Sequence, residues 1–257
     1  EDVTNIDSVG IITARSNILV GSGITLSPDG DVFVTGISTF SEGIADDITI
    51  NSVSVGKGAN SVAGNTVVGE AALDAVTTGG NNTAIGGSAL TELTTGSSNV
   101  AVGQEALKVN TTGASNTAVG RRALDANTTG GSNTAIGNAA LGANTTASNN
   151  TAVGKDTLLA NTTGHSNTAV GFEACKDNVT SNNNTGVGYK SLENQTGEKN
   201  TGLGAYTLGN GATGSDSTAL GYAALYQNAA SNNTAVGSNA LYANTTGNKN
   251  VAFGAEA

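Results

Sequence analysis

The chain has 257 residues and a formal net charge of −10, with 37 Gly, one Pro, four Phe, five Tyr, no Trp and no Met. Large side chains are too few to fill a wide core, so any core has to be thin and rebuilt along the chain. The sequence has no basic patch, so we expect no nucleic-acid partner. No apolar run reaches the length of a membrane span, so we expect no membrane insertion.

Residues 1–47 do not carry the pattern of the later chain and predict a short β-rich fibre segment. Their β-branched runs are separated by glycine-containing turn signals. The pattern predicts strands at residues 8–14, 17–20, 31–35 and 37–40. Residues 48–69 read as a junction, in which Gly56 and Gly69 end similar triplets at a spacing of 13.

Residues 70–257 form a repeat array whose clearest unit is Asn116–Ser132, NTAVGRRALDANTTGGS. The glycine that closes NTAVG recurs twelve times from Gly69 to Gly254, and nine of the eleven spacings are 17 residues. The other two spacings are 16 residues. A fixed period of this size is typical of stacked coils. We number the unit from position 1, Asn116, to position 17, Ser132.

Invariant positions predict the core, and variable positions predict the surface. Position 4 is always apolar, and position 9 is Leu in every complete copy except that of Cys175. Positions 6, 7, 10, 11, 16 and 17 vary and carry most of the charge, so we expect them to face water. The predicted core residues are Val119, Leu124, Ile136, Leu141, Val153, Leu158, Val170 and Cys175.

The unit leaves too few residues for a capped helix of ordinary length, so we predict two short strands, at positions 1–5 and 8–12. Glycine at position 5 supplies a turn that needs positive φ or close backbone approach. Stacking would align the Asn residues of positions 1 and 12 into ladders. The prediction is an all-β parallel β-solenoid of about twelve coils. Its predicted turn glycines are Gly103, Gly120, Gly137, Gly154 and Gly171.

A single chain of this composition buries little apolar surface in each coil. Packing several chains around an axis would bury the second face of each strand, so we predict self-association. The array stops at Ala257 part-way through a unit, and we expect the chain to be a segment of a longer polypeptide.

The repeat NTAVGxxALxANTTGxxNTAVG, seen at 116–137, 133–154 and 150–171, resembles the YadA-like head repeats of trimeric autotransporter adhesins. It resembles more closely the longer variant of bacteriophage tail fibres. Residues 3–15 and 30–41 are similar to modules of marine cyanophage structural proteins. The resemblance implies a homotrimeric, virion-borne or extracellular β-roll, preceded by a trimeric β-rich segment.

These observations favour a virion fibre shaft, a rigid homotrimeric spacer for host attachment. Its expected partners are copies of itself, other virion or fibre proteins and a host cell-surface glycan. A bacterial trimeric surface adhesin or extracellular filament is the alternative. A monomeric solenoid that binds ice through its Thr ranks, or calcium, is a third hypothesis from another class.

No pattern of catalytic residues emerges, so we predict no enzymatic activity, no cofactor and no metal site. His165 lies at a variable loop position, and Cys175 reads as a small buried hydrophobe rather than a reactive thiol or an interchain bridge. Asp29-Gly30-Asp31 and Asp46-Asp47 lack the spacing of a calcium loop. Five Tyr residues cluster near the end of the chain and would contact sugars or cover seams between chains. They are Tyr189, Tyr206, Tyr222, Tyr226 and Tyr242.

The distinction between core and surface positions can be tested by charge. We expect Leu124→Asp to disrupt the fold, because it would bury an unpaired carboxylate. Arg121→Asp changes charge by two units at a surface position and should shift stability by less than about 0.5 kcal/mol. Chemical denaturation of both variants is the measurement, and equal effects would contradict the assignment.

Overall fold

The computed structural model describes residues 48–50 and 52–257, all within the compact unit 44–257. This unit is an all-β parallel solenoid of about eleven turns, with one three- or four-residue strand per turn and a spacing of about 17 residues. The predicted parallel β-solenoid is therefore confirmed. The strands predicted at residues 8–14, 17–20, 31–35 and 37–40 lie outside the described residues, as do both acidic pairs.

The described part begins with an antiparallel pair and continues as a parallel stack. Strand β1, Ile48–Ile50, pairs antiparallel with β2, Val53–Gly56, and β2 pairs antiparallel with β3, Thr66–Gly69. A short 3-10 turn, Ala59–Ser61, lies between β2 and β3. From β3 onward every strand pairs in parallel with the next, and equivalent repeat positions face each other.

The remaining strands each cover positions 2–4 of one repeat. They are β4 Thr83–Ile85, β5 Val100–Val102, β6 Thr117–Val119, β7 Thr134–Ile136, β8 Thr151–Val153, β9 Thr168–Val170, β10 Thr185–Val187, β11 Thr201–Leu203, β12 Thr218–Leu220, β13 Thr234–Val236 and β14 Val251–Phe253.

The strand turns position 3 inward and positions 2 and 4 outward. In β6, Ala118 is fully buried, whereas Thr117 and Val119 are partly exposed. Side chains of a strand alternate between its faces, so positions 3 and 4 cannot both enter the core. The interior beside position 3 is also narrow, since a Cβ added at Gly186 would lie 2.7 Å from Cys175 Sγ.

The prediction that position 4 belongs to the core is therefore wrong. Ile136 is 41% exposed, and the other three predicted core residues of this position are partly exposed as well. Invariance at position 4 marks an outward apolar column, not an interior one. The residues that were predicted in the core and instead point outward are Val119, Ile136, Val153 and Val170.

The predicted second strand at positions 8–12 is also wrong, because this segment forms tight turns. Ala123 and Leu124 are consecutive and both fully buried in the same core, whereas consecutive residues of a strand point to opposite faces. Arg122 and Leu124 have left-handed backbone conformations, with φ of 58° and 52°. The Leu124 N–H instead donates to the Ala140 carbonyl of the next turn at 3.0 Å.

The core of each turn consists mainly of one large side chain and two small ones. At position 9, Leu124, Leu141 and Leu158 have no exposed surface, and Cys175 is 1% exposed. Ala at positions 3 and 8 fills most of the remaining apolar space. Since leucines of successive turns lie above one another, this narrow core continues along the stack.

In the five turns that begin at Asn99, Asn116, Asn133, Asn150 and Asn167, two buried Asn residues bond the chain to itself and to its neighbours. The side-chain amides of Asn116 and Asn127 both donate to the Gly130 carbonyl, at 2.8 and 3.0 Å. The Asn127 amide also donates to Asn110 Oδ1 of the preceding turn at 2.8 Å. Asn116 Oδ1 accepts from the Asn133 backbone N–H at 3.0 Å. The predicted Asn ladders are confirmed.

The two 16-residue spacings are accommodated in the turn between positions 12 and 15. In regular turns the position-12 amide donates to a carbonyl three residues later, but Asn228 donates to Ala230, two residues later. In the other short turn Gln195 replaces Asn. Its longer amide donates at 2.8 Å to the carbonyl of Gly214 in the next turn, where Gly211 has no side chain to do so. The shortened turns therefore leave the strands aligned.

Glycine at position 5 allows each turn to approach the next. The backbone of Gly120 has φ of 135°, and an added Cβ would lie 2.5 Å from the Gly137 carbonyl oxygen. Both the positive φ and the close backbone contact disfavour any residue with a side chain at this position. The predicted turn glycines Gly103, Gly120, Gly137, Gly154 and Gly171 have φ of 132°, 135°, 141°, 136° and 130°.

Substitution of this glycine should be costly. We expect Gly120→Ala to lower the free energy of unfolding by about 2 kcal/mol or more, because it combines strain with a backbone clash. Gly87→Ala is the matched control, since nothing lies within 4 Å of its added Cβ. Thermal or urea unfolding measures both, and similar losses would contradict this role for position 5.

Candidate functional site

The residues considered for catalysis or metal binding are not brought together. Within residues 52–257, no group of three or more His, Cys, Asp or Glu side chains could hold a metal ion. His165 is exposed, and its Nδ1 lies 3.3 Å from Ser166 Oγ. No helix in the described part of the chain is both long and apolar enough to cross a membrane.

Cys175 lies inside the solenoid at a leucine position. Its side chain is 1% exposed, and burial raises the pKa of the thiol to about 12. The reactive form of cysteine is the thiolate, which this environment disfavours. Bridging to another chain or reacting with a solute would require the surrounding turn to open.

The outward face of the parallel sheet carries two parallel columns of side chains. Position 2 is Thr in ten of the twelve strands β3–β14. Position 4 supplies an uninterrupted aliphatic column that ends in Phe253, with exposures of 37% at Val68, 39% at Ile85 and 47% at Leu203. No other element in the described residues covers this face, so the sheet presents a continuous half-apolar surface.

Repetition makes this sheet face regular in two directions. Neighbouring turns are about 4.8 Å apart, and positions 2 and 4 of one strand are about 7 Å apart. The strands pair without shift, as in Thr117 with Thr134 and Val119 with Ile136. The face is therefore a grid of hydroxyl and aliphatic groups.

A different corner, formed by positions 7 and 10, carries alternating charges. Glu173 and Lys176 form an ion pair in one turn, and Lys190 and Glu193 form the reverse pair in the next. Lys190 also contacts Glu173 at 3.0 Å. The hydrogen bond from Lys190 lowers the pKa of Glu173, and that to Glu193 raises the pKa of Lys190. Exposed pairs of this kind contribute little stability individually.

From Phe172 onward, positions 6, 7 and 10 also carry aromatic rings. Phe172 stacks on Tyr189 with ring centroids 5.5 Å apart, and Tyr189 meets Tyr206 edge-on at 5.3 Å. Tyr206 then contacts both Tyr222, at 5.8 Å, and Tyr226, at 6.4 Å. Desolvation and a hydrogen bond with Tyr189 raise the pKa of the Tyr206 phenol. All five Tyr residues of the chain belong to this run of rings, which we call the aromatic run.

No protein-family model, no curated protein and no solved structure matches this chain.

Sequence reasoning identified the Tyr cluster but missed the role of the sheet face. The Thr of position 2 was as regular as the Val of position 4, and the pair Thr-x-Val in a short strand already places both on one face. Taking position 4 as core hid that relationship. The structure puts both columns together outside and leaves position 3 to the interior.

The burial of Cys175 predicts how the thiol reacts. Native chain should resist a thiol reagent at pH 8, and unfolded chain should react fully. Between pH 9.0 and about 12 the unfolded chain loses the thiol proton while the folded chain keeps it, so this group destabilises the fold as pH rises. Stoichiometric labelling of native protein within minutes would contradict the enclosed position.

Proposed function

We propose that this chain is a structural fibre shaft, a rigid homotrimeric spacer in a phage tail fibre or another virion appendage that serves attachment to a host. The observation that carries the proposal is the uncovered sheet face with its aliphatic column. An extended apolar surface on a protein with so thin a core is best explained as a surface for association.

Stiffness follows from the bonding between turns. Each turn is connected to the next by strand hydrogen bonds, by backbone bonds such as Leu124 to Ala140, and by Asn side chains. At about 4.8 Å per turn, the steps from β3 to β14 span roughly 53 Å. A stack bonded at several points in every turn resists bending, as a spacer requires.

Self-association would complete the burial of the aliphatic column. Six of the twelve column residues are 37% to 70% exposed, and the other six are less exposed. Covering each contributes up to roughly 1 kcal/mol, so the column contributes at most on the order of 10 kcal/mol per chain. That is comparable with the free energy lost when chains associate, about 4–15 kcal/mol. Only contact along the whole column could therefore offset the cost of association, whereas contact over a few turns would not.

The trimeric state and the virion setting are supported by the resemblance of the repeat to tail-fibre and YadA-like repeats. Three flat faces around one axis would bury all three aliphatic columns. A bacterial trimeric adhesin would use the same shaft, so the interior and the sheet face do not distinguish an adhesin from a virion fibre. A baseplate-attachment module upstream in the full-length reading frame would favour the virion setting over the adhesin.

Charge on the sheet face should break the assembly without unfolding the turns. We expect the wild-type chain to sediment as a trimer, and the double variant Ile136→Asp, Val153→Asp to sediment as a monomer. Both residues point outward, so circular dichroism should stay unchanged. Analytical ultracentrifugation and native mass spectrometry provide the measurement.

Asn138→Asp is the matched control, because this exposed residue lies at position 6, off the sheet face. It should remain trimeric. A wild-type chain that is monomeric at micromolar concentration, or a control that dissociates as readily as the double variant, would refute association through this face.

A second candidate, ice binding by a monomer, is favoured by one specific observation. The face combines a Thr column with an aliphatic column at fixed spacings, and such a grid could order water in two dimensions. A monomer that shows thermal hysteresis, lost on replacing Thr134 and Thr151 by Lys, would support this candidate. A trimer without thermal hysteresis would exclude it.

A further inference from the structure

The aromatic run opens into a cleft at its far end. The cleft has a volume of about 800 Å³, and its walls include Tyr206, Tyr222, Tyr226 and Tyr242. The run branches at Tyr206, which contacts both Tyr222 and Tyr226. Tyr226 and Tyr242 then stack with their centroids 5.2 Å apart. Rings of two branches therefore border one concave surface.

Besides the rings, the cleft is lined by small residues and by two polar ones. Position 7 contributes Ala223, Asn239 and Glu256 from three successive turns. Ala223 is buried. The side-chain amide of Asn239 makes no hydrogen bond to any described residue and is partly exposed. A ligand in the cleft would thus meet ring faces, phenol groups, an amide and a carboxylate.

The rings are held in place before any ligand arrives. Tyr206 has a left-handed backbone with φ of 60°, and it contacts three other rings of the run. The absence of a side chain at Gly209 leaves room for the ring of Tyr226, since an added Cβ there would lie 3.2 Å from Tyr226 Cε2. Rings fixed by their neighbours lose little conformational freedom on binding, which favours affinity.

We propose that this cleft binds a neutral oligosaccharide. Aromatic faces stack on the C–H faces of pyranose rings, and phenol, amide and carboxylate groups bond to sugar hydroxyls. The lining residues come from four successive turns, and three steps of about 4.8 Å accommodate about three linked sugar rings. A chain of sugars repeats on nearly the same scale as the turns that carry the rings.

Charge decides between neutral and anionic sugars. Glu256 is the one acidic side chain that lines the cleft among the described residues, no Lys or Arg side chain lines it there, and the whole chain has a net charge of −10. Lys190 contacts the ring of Tyr189, but Glu173 and Glu193 already bind its ammonium group. A sialylated or sulfated glycan would find no counter-charge, so neutral sugars are preferred.

This inference goes beyond the fibre proposal and does not depend on it. The cleft lies at positions 6, 7 and 10, whereas association of copies was assigned to positions 2 and 4 of the sheet. A chain that failed to trimerise could still bind sugar, and a trimer could fail to do so. The two proposals therefore have separate readouts.

The composition provides a clean optical signal. The chain has no Trp, and all five Tyr residues belong to the aromatic run, so intrinsic tyrosine fluorescence reports on this surface alone. We would titrate the full chain with maltotriose, cellotriose, chitotriose and a mannose trisaccharide, with sialyllactose as the anionic comparison. Saturation-transfer NMR on the same sugars gives a second readout.

We expect a saturable change with at least one neutral trisaccharide, and weaker or no binding of sialyllactose. Tyr242→Ala and Tyr222→Ala should each weaken binding by about tenfold, which is the loss of one stacking contact. Both rings are largely exposed, at 42% and 55%, so the fold should survive, as circular dichroism would verify. Phe172→Ala is the matched control, being in the same run but outside the cleft.

Four results would overturn the proposal. The first is no saturable change with any neutral trisaccharide at millimolar concentration. The second is equal weakening of binding by Phe172→Ala and Tyr242→Ala. The third is tighter binding of sialyllactose than of every neutral sugar. The fourth is loss of self-association in Tyr242→Ala with sugar binding unchanged, which would make the cleft a contact between copies of the chain.

Discussion

The amides of two buried Asn residues converge on one backbone carbonyl in five consecutive turns, from Asn99 to Asn178, and the stacking of this middle part of the solenoid depends on that convergence. Asn116 and Asn127 both donate to Gly130, and each also bonds to a neighbouring turn. A buried amide left unpaired is costly, so each Asn favours a partner directly above or below it. The polar ladders thus hold in alignment a chain whose apolar core is only one leucine wide.

Alignment of this kind turns every repeat position into a column. Inside, Leu124 and its equivalents form the core, and glycine at position 5 lets backbones come within contact of each other. Outside, the same rule produces a hydroxyl column, an aliphatic column and a corner whose chemistry changes along the chain. A substitution at one repeat position therefore affects the equivalent residues of the turns on either side. Different residues at one position in several successive turns create a new surface.

The two outer surfaces differ in a way that suits different tasks. The sheet face is continuous from β3 to β14, which suits association along the whole stack. The corner of positions 7 and 10 is local: ion pairs occupy it around Glu173 and Lys190, and Tyr rings occupy it from Tyr206 onward. A uniform face can build a shaft, and a local corner can carry a binding site without disturbing the stack.

The sequence by itself determined the period, the parallel stacking, the Asn ladders and the leucine core, because a fixed spacing aligns like residues whatever the path between them. It did not determine the path within one turn. Consecutive burial of Ala123 and Leu124 requires left-handed residues, and nothing in the letters ALDAN distinguishes that from a short strand. The outward direction of Val119 likewise follows from the narrow core, because Leu124 and Ala118 already fill the interior of that turn. Only the tertiary structure brought Tyr206, Tyr222 and Tyr226 around one cleft, since their separations in sequence are set by turns and not by any local motif.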